Sequence, residues 1–450
     1  MKIIQSGEFE SYWKSCTIKK NDEAVESAVK EIIDAVRTEG DTAVRRFASR
    51  FDKSSPEQFE VPLSIVEQAA AELRRTDPEL TAAIELAADH IQRFSLKQRA
   101  QFLDFDYEME KGLVTGQRVI SVERAAVYVP AGRFPLFSTV LMGLIPAFCA
   151  GVEEVFLASP PLEDGLPDRK VLAAAGIAAE IAGGYDNEIA SNNRLRILAI
   201  GGAQAIAALA LGTENIPRVD VIAGPGNKYV AAAKRILFGE VGIDFVAGPT
   251  DVLIIAGGNT PQAVDVVAAD MIAQAEHDPD ARARTLVPNR ELAEQIAAAI
   301  DRQLRTLPTA ETARASLDCG GIAIVYRNRE EAVHIANTIA PEHLELQVTD
   351  EEWWIPRLKN YGSLFIGDLS AEVIGDYSAG INHTLPTSAS ARFTGGLSVC
   401  HFLKTVTTLR CTPGDGFEKA RHVSEILAKA EGLAGHAASA ALRKSIKGTI

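Results

Sequence analysis

The stretch VDVIAGPGNKYVAAAKRILFG, residues 219–239, decides the fold class of this chain. It begins as a short apolar run, passes through a turn of glycine, proline and asparagine, and continues as an amphipathic helix. Short buried strands that alternate with longer helices are typical of a parallel sheet covered by helices. The turn could hold a nucleotide, because glycines admit a ligand and a helix start attracts anions. It lacks the GxGxxG pattern, so an ordinary strand-to-helix turn is equally open.

The same alternation extends in both directions from this stretch. Strand-like and helix-like runs follow one another at 118–130, 137–152 and 153–161, and again at 251–258, 261–277, 284–288, 321–326 and 362–368. We therefore expect an α/β fold with two Rossmann-like domains, each built on a parallel-rich sheet.

The domain boundaries follow from changes in this pattern. Helical spacing of apolar residues begins near residue 23, and a second amphipathic helix covers roughly Pro78 to Phe94. The polar segment Gly183 to Asn193 is expected to be a surface insertion. The expected organisation is an N-terminal arm (1–22), a discontinuous first α/β domain (23–127 and 252–397), a second α/β domain (128–251) and a C-terminal helical segment (398–450).

The composition is that of a packed globular protein, with 47% hydrophobic and 24% charged residues among 450. A net charge of -14 at pH 7 repels a phosphate backbone, so we expect no nucleic-acid partner. The N-terminus lacks an apolar signal core and no run of about 18 apolar residues occurs, so we expect neither export nor a membrane span. Five scattered cysteines fit a reduced, cytoplasmic chain.

A possible metal site begins at Gln274 and His277, which lie near the end of a predicted helix and share one face. An imidazole with carbonyl or carboxylate oxygens suits zinc or a similar divalent ion. Asp376 and His436, each in a glycine-punctuated context, are candidates for the missing ligands. A surface Gln/His pair without a metal is the commoner arrangement, and His436 also fits a helix-terminal cap. The pattern leaves both interpretations open.

An acid/base pair is predicted at Glu342 and His343, directly after Pro341. Proline is favoured at the first position of a helix, so we expect a helix here whose dipole favours ionised Glu342 and neutral His343. A neutral imidazole can take a proton near pH 7. The alternative is a carboxylate that only stabilises the helix start, beside an exposed histidine. His383, in a turn-rich loop, could equally be functional or turn-stabilising.

Taken in order, several segments resemble the histidinol dehydrogenase family. Three of them are specific in combination: AQAEHDPD (273–280), APEHLEL (340–346) and GDYSAGINHTLPT (375–387). Further matching segments are YVPAG (128–132), FSTVLM (137–142), GGAQAIAALALGTE (201–214), AGPTDVL (247–253) and AEGLAGHA (430–437). The resemblance covers nearly the whole chain, and a chance occurrence of all of these segments in this order is not credible.

The resemblance assigns roles to particular side chains. It implies one zinc ion per subunit, held by Gln274, His277, Asp376 and His436. It implies a catalytic pair, Glu342 and His343, and NAD contacts from Tyr128, Gln204 and Asn227. Substrate contacts are implied for the zinc ligands and His343, and also for Thr250, His383 and Glu431. It further implies a homodimer in which the exchanged C-terminal segment of one chain completes the site of the other.

The implied reaction is the zinc-dependent, NAD-linked oxidation of L-histidinol through L-histidinal to L-histidine, the last steps of histidine biosynthesis. His343 takes the hydroxyl proton as hydride leaves, and water activated by Glu342 then attacks the bound aldehyde before the second hydride transfer. Thr250 and Asp251 depart from the usual AGPSE pattern, and residues 391–405 resemble the related sulfopropanediol dehydrogenases. The alternative substrate is therefore another small alcohol such as 2,3-dihydroxypropane-1-sulfonate.

Overall fold

The computed structural model describes residues 1–17, 23–131, 135–183, 194–257 and 261–445. Its strands are β1 (Lys2–Gln5), β2 (Glu60–Val61), β3 (Phe105–Glu110), β4 (Leu113–Ser121), β5 (Arg124–Tyr128), β6 (Glu154–Ser159), β7 (Leu195–Ala199), β8 (Val221–Ala223), β9 (Gly242–Ile243), β10 (Asp251–Ala256), β11 (Arg282–Val287), β12 (Ile322–Val325), β13 (His343–Gln347), β14 (Ser363–Ile366) and β15 (Leu403–Cys411). Its α-helices are α1 (Phe9–Thr17), α2 (Glu23–Glu39), α3 (Asp41–Phe51), α4 (Leu63–Thr76), α5 (Pro78–Arg99), α6 (Phe137–Ala150), α7 (Arg169–Gly183), α8 (Gly202–Leu211), α9 (Lys228–Leu237), α10 (Pro261–Ala275), α11 (Arg290–Gln303), α12 (Ala310–Gly320), α13 (Arg329–Ile339), α14 (Glu351–Trp354), α15 (Glu372–Tyr377), α16 (Asp415–Ala430) and α17 (Ala434–Leu442).

Two six-stranded sheets form the centre of the fold. The first sheet has the order β2-β7-β6-β5-β8-β9 and is parallel except for β2, which is antiparallel to β7. The second sheet has the order β1-β12-β11-β10-β13-β14 and is parallel throughout. This architecture confirms the predicted α/β class with parallel-rich sheets.

In each sheet, successive strands are added first toward one edge and then toward the other. The order reverses at one central pair of strands. In the first sheet the pair is β5 and β8, and in the second it is β10 and β13. The connections that follow the two strands of such a pair run to opposite faces of the sheet. A crevice therefore opens between them, and such crevices commonly bind ligands. These two switch points are where functional side chains are expected.

Helices α2 and α3 pack in the core of the first sheet and not in that of the second. The apolar stripe of α2, which includes Val29 and Ile33, is buried against α8 and α9 in the core of the first sheet. Strand β2 likewise pairs with β7. The predicted grouping of residues 23–127 with residues 252–397 is therefore wrong for these elements, because an apolar stripe does not specify which sheet covers it.

The N-terminal arm predicted for residues 1–22 is partly ordered structure. Strand β1 extends the second sheet by pairing with β12, and Phe9 of α1 is buried in the same core. A four-residue edge strand is too short to show a clear hydrophobic period, which is why the sequence analysis overlooked it. The remaining domain boundaries stay a prediction.

The chain forms two compact units. The first contains Met1–Leu96 and Glu123–Phe402, and the second contains Lys97–Val122 and Leu403–Ile450. The second unit has an antiparallel sheet of order β15-β4-β3, with helices α16 and α17. Residues 398–450 are therefore not wholly helical as predicted, because the run of β-branched residues in β15 forms a strand.

Two further expectations concern the surface of the chain. Nearly all of the insertion predicted at Gly183 to Asn193 lies outside the described residues. Among the helices that the structure describes, none combines the length and apolar character needed to cross a bilayer.

Candidate active site

The candidate site lies at the amino ends of β10 and β13, the switch-point strands of the second sheet. Thr250 precedes β10, Glu342 precedes β13, and His343 is the first residue of β13. Parallel pairing places Val252 opposite His343, so these positions are neighbours. Ligands of open α/β sheets usually bind at the carboxyl edge. This site therefore uses the opposite edge of its sheet.

Reciprocal hydrogen bonds fix Glu342 against Asp251. The Asp251 N–H donates to Glu342 Oε2 at 3.0 Å, and the Glu342 N–H donates to Asp251 Oδ1 at 3.0 Å. The Thr250 hydroxyl also donates to Glu342 Oε2, and the buried Arg284 guanidinium holds Asp251 Oδ2. Burial raises the pKa of Glu342 to about 7. The Glu342 carboxyl is therefore both held in place and able to exchange a proton near neutral pH.

The helix predicted to begin at Pro341 is wrong. Helix α13 ends at Ile339, Ala340 turns the chain with a φ of 49°, and the chain then enters the buried strand β13. A strand buried on both faces shows no clear alternation, so local sequence could not distinguish it from a helix. Because no helix starts here, no helix dipole favours a neutral His343.

The His343 ring is buried among three carboxyl groups. Its Nδ1 lies 3.5 Å from Glu372 Oε1 and 3.9 Å from Glu342 Oε2, and its Nε2 lies 3.6 Å from Asp376 Oδ1. Burial lowers the pKa of His343, but the negative charges of Glu372 and Glu342 raise it, and the result is well above the ordinary value. These surroundings therefore favour the protonated imidazole over the predicted neutral form.

Three side chains converge as candidate metal ligands. Ligand atoms of His277, Glu372 and Asp376 all lie within 4.8 Å of one another. Glu372 and Asp376 are one turn apart on α15 and share a face, while His277 follows the end of α10. One imidazole and two carboxylates form a nitrogen and oxygen donor set that suits zinc or a similar divalent ion.

The buried Gln274 side chain adjoins this cluster. Its Nε2 donates to Thr250 Oγ1 at 2.6 Å, and its Oε1 faces the Glu372 carboxylate. Two acceptors facing one another repel, so the contacts favour the amide turned over by 180°. The amide turned over instead donates to Glu372 Oε2 at 3.0 Å and accepts from Thr250. In either orientation Gln274 joins the cluster to Thr250, the residue before β10.

Glu372 joins this site although no sequence motif pointed to it. It belongs to the metal-ligand cluster and also lies 3.5 Å from His343 Nδ1, and its N–H donates to Glu345 Oε1 at 3.1 Å. Burial raises the pKa of Glu372 well above its ordinary value. Its spacing of one helical turn before Asp376 was the available signal, but the following glycines suggested a loop in place of α15.

His383 is held between α15 and α6 by both ring nitrogens. Its Nδ1 lies 3.0 Å from the carbonyl oxygen of Asp376, so Nδ1 carries the proton and donates. Its Nε2 lies 3.3 Å from Thr139 Oγ1 and accepts from that hydroxyl. Burial lowers the pKa of His383, which favours this neutral form. Asn382 also donates to the carbonyl oxygen of Met142, 2.7 Å away, which fixes the loop on α6.

The predicted NAD-contacting residues gather at the carboxyl edge of the first sheet. The Tyr128 hydroxyl accepts from the Gly202 N–H at 3.0 Å, and Gln204 donates to Asp52 at 3.3 Å. Tyr128 and Gln204 are only 2% and 1% exposed. Their side chains therefore support the glycine turn and offer little surface to a ligand. Asn227 is exposed and caps α9, where its Oδ1 accepts two backbone N–H groups.

Known proteins match this chain over nearly its whole length. A protein-family model described as histidinol dehydrogenase matches residues 17–444. The chain belongs to the histidinol dehydrogenase family. Histidinol dehydrogenase from Thermus thermophilus is 45% identical over 94% of this chain and 95% of its own, and that from Aquifex aeolicus is 42% identical over 94% and 93%. The crystal structure of histidinol dehydrogenase from Elizabethkingia anophelis aligns with a TM-score of 0.87 at 32% identity and covers 98% of both chains.

The family membership confirms the resemblance drawn from the sequence motifs. The structure of this histidinol dehydrogenase family member brings together Gln274, His277 and Asp376, three of the four expected ligands. The fourth, His436, lies exposed on α17 in the second unit, and Glu431 lies exposed at the end of α16. These two assignments stay predictions.

Proposed function

We propose that this chain oxidises L-histidinol through L-histidinal to L-histidine in histidine biosynthesis, with one zinc ion per subunit and NAD as hydride acceptor. The observation that carries the proposal is the buried Glu342–His343 pair beside the cluster of His277, Glu372 and Asp376. Removal of a proton from an alcohol near pH 7 requires such an acid/base pair, and a cation beside it promotes the step. The name shared by the relatives supports histidinol as the substrate.

The donor set of the metal-ligand cluster fits zinc, and the position of the glycine turn beside the switch point of the first sheet fits NAD. Gln274, His277 and Asp376 would hold the zinc ion, together with His436 of the partner subunit. When bound, zinc would polarise the alcohol and offset the carboxylates around His343, and NAD would accept the hydride. Tyr128, Gln204 and Asn227 lie at the carboxyl edge of the first sheet, beside its switch point, where dinucleotides bind in open α/β folds.

His343 and Glu342 take the two proton-transfer roles. His343 accepts the hydroxyl proton as hydride leaves the carbinol carbon. Glu342, whose pKa is about 7, accepts a proton from water as that water attacks the bound aldehyde. Thr250 and Asp251 hold Glu342 in one orientation during both oxidation steps. Retention of the aldehyde between the two oxidations protects it from reaction elsewhere.

The charge of the site favours histidinol over a sulfonated diol. Glu342, Glu372 and Asp376 surround the reacting position with carboxyl groups, which attract an ammonium group and repel a sulfonate. Arg284 is buried and already paired with Asp251, so it is not available for a sulfonate. Thr250 and Asp251, which depart from the usual AGPSE pattern, position Glu342. Their presence therefore does not require a substrate of different charge.

A substrate comparison tests the proposed function. We expect the zinc-loaded protein to reduce NAD with L-histidinol and to give a far lower kcat/KM with 2,3-dihydroxypropane-1-sulfonate. Turnover of the sulfonated diol without turnover of histidinol would establish the alternative substrate. A purified protein with no affinity for zinc would contradict the cofactor part of the proposal.

We also propose a homodimer whose C-terminal segment supplies Glu431 and His436 to the partner's site. Helix α16 exposes a helical stripe of Val423, Ile426 and Leu427. An apolar stripe on an amphipathic helix is normally covered by another surface. The side chains of His436 and Glu431 are exposed on the same unit, which is what residues that act across an interface require.

A second exposed apolar surface supports the same dimer. Leu369, Val373, Ile374 and Tyr377 are exposed on and beside α15, the helix that carries Asp376, and Leu369 is 90% exposed. Such a patch at the rim of the metal-ligand cluster fits coverage by a second copy of the chain.

The cytoplasmic location stays a prediction, and the four cysteines that the structure describes are free thiols, as that location requires.

A further inference from the structure

The glycine turn after β8 is held from both sides by a buried ion pair. Asp244 Oδ2 accepts the N–H of Gly224 at 2.8 Å, and Lys234 Nζ donates to the carbonyl oxygen of Gly224 at 2.9 Å. Lys234 and Asp244 also pair with one another, and their side chains are 2% and 0% exposed. Both backbone polar groups of one glycine are therefore bound to one pair of charges.

The turn has little freedom to take another shape. Gly224 has a φ of 108°, and a Cβ at this position would lie 2.3 Å from the carbonyl oxygen of Tyr128. Three residues later Asn227 caps α9, and Lys234 lies two turns further along that helix. Asp244 also accepts the N–H of Phe245 at 2.7 Å, which ties the turn to the chain after β9. Strand β8, its turn and α9 thus form a closed loop of contacts.

The energetics of the pair indicate a geometric role. Burial of two charges costs several kcal/mol, and their attraction does little more than offset this cost. A buried ion pair therefore contributes little net stability compared with apolar residues of similar size. It does specify the direction of the groups that it binds, and here those groups belong to the turn at the carboxyl edge of β8, the neighbour of β5.

We propose that Lys234 and Asp244 are positioning residues for the dinucleotide cofactor. They hold the turn from Gly224 to Asn227 in the conformation that receives the cofactor, and they do so without touching it, because both side chains are buried. The proposal rests on the proposed NAD-linked function. It assigns a role to two charged residues that belong neither to the metal-ligand cluster nor to the acid/base pair.

Binding of NADH in the absence of an alcohol substrate tests the proposal, with nicotinamide fluorescence as the readout. The variants are Lys234→Met, Asp244→Asn and the double variant Lys234→Met/Asp244→Leu. The double variant leaves no unpaired buried charge, so we expect it to keep a Tm near that of the wild type. Arg235→Met is the matched control, because Arg235 is the next residue of α9 and its ion pair with Glu26 is exposed.

We expect the Kd for NADH to rise about tenfold or more in all three variants, since each loses a charge-assisted hydrogen bond to the turn. Zinc affinity stays unchanged, and Arg235→Met binds NADH like the wild type. A folded double variant with wild-type affinity for NADH overturns the positioning role. A wild-type protein that does not bind NADH overturns the proposed cofactor instead, whatever the variants do.

Discussion

The Glu342 carboxyl lies in a buried position, and its pKa is raised to about 7. Below that pH it is protonated and cannot accept a proton from water, so the rate of aldehyde oxidation rises with pH and levels off above about 7. We expect Glu342→Gln to remove this pH dependence and to slow the aldehyde step by about 100-fold. The measurement is kcat against pH with L-histidinal as substrate.

A surface carboxylate provides the control for this variant. Glu331→Gln changes a glutamate on α13 whose exposed Arg327 partner keeps its pKa low, at about 2. We expect its pH profile to match the wild type. A Glu342→Gln enzyme with the wild-type profile would mean that another group activates the water.

Glu372 is expected to support the metal site although no motif identified it. It lies within the ligand cluster and 3.5 Å from His343 Nδ1. Glu372→Gln removes one negative charge, and we expect zinc affinity to fall by about 10- to 100-fold. Competition with a chelator measures this, and Glu352→Gln in the exposed first turn of α14 is the control. Equal zinc affinity in both variants would exclude Glu372 from the metal site.

At the scale of single residues, the sequence was most informative where several motifs occurred together. Gln274, His277, Asp376 and the Glu342–His343 pair were predicted from their segments, and the structure places them side by side. Glu372 and Asp52 were not identified, because each acts through contacts with residues that are distant along the chain. No local pattern encodes such contacts.

At the scale of elements, strand-to-helix alternation predicted the parallel sheets, but it failed to predict two features. The buried strand β13 was taken for a helix, because a strand covered on both faces loses its period of two. The partner of an amphipathic helix was also not predictable, as α2 shows by packing on the first sheet. Periodicity identifies a buried face and does not identify what covers it.

The turn after β8 gives a prediction that separates backbone strain from steric contact. Gly224→Ala places a Cβ against the carbonyl oxygen of Tyr128 at a φ of 108°. Gly239 has a φ of 105° with nothing near its Cβ position, so Gly239→Ala reports the backbone cost alone. We expect Gly239→Ala to lose about 1 kcal/mol of unfolding free energy and Gly224→Ala clearly more. Equal losses by denaturant titration would mean that the turn is not tightly packed.

At the scale of the whole molecule, two sheet edges contribute to one proposed reaction. The first sheet offers its carboxyl edge, the second offers its amino edge, and the contact between Thr139 and His383 joins the two. The cofactor residues and the acid/base pair therefore come from separate sheets of the same unit. The C-terminal exchange that we propose would add the requirement for a second chain.

Mixed dimers test whether His436 acts across the interface. A heterodimer of one His343→Asn chain and one His436→Ala chain has one site with all of its wild-type groups if His436 is donated in trans. We expect about half of the wild-type activity from this heterodimer, because one of its two symmetric sites is intact. Each homodimeric variant alone is inactive. A heterodimer as inactive as its parents would place His436 in the site of its own chain.

The most direct test of the central claim, two oxidations at one site that retains the aldehyde, is the amount of NADH formed from a limiting amount of L-histidinol. Because Glu342 and His343 lie together beside one metal-ligand cluster, we predict two molecules of NADH for each histidinol, with no aldehyde captured by an external trapping reagent. A yield of one NADH with free histidinal in solution would contradict the account.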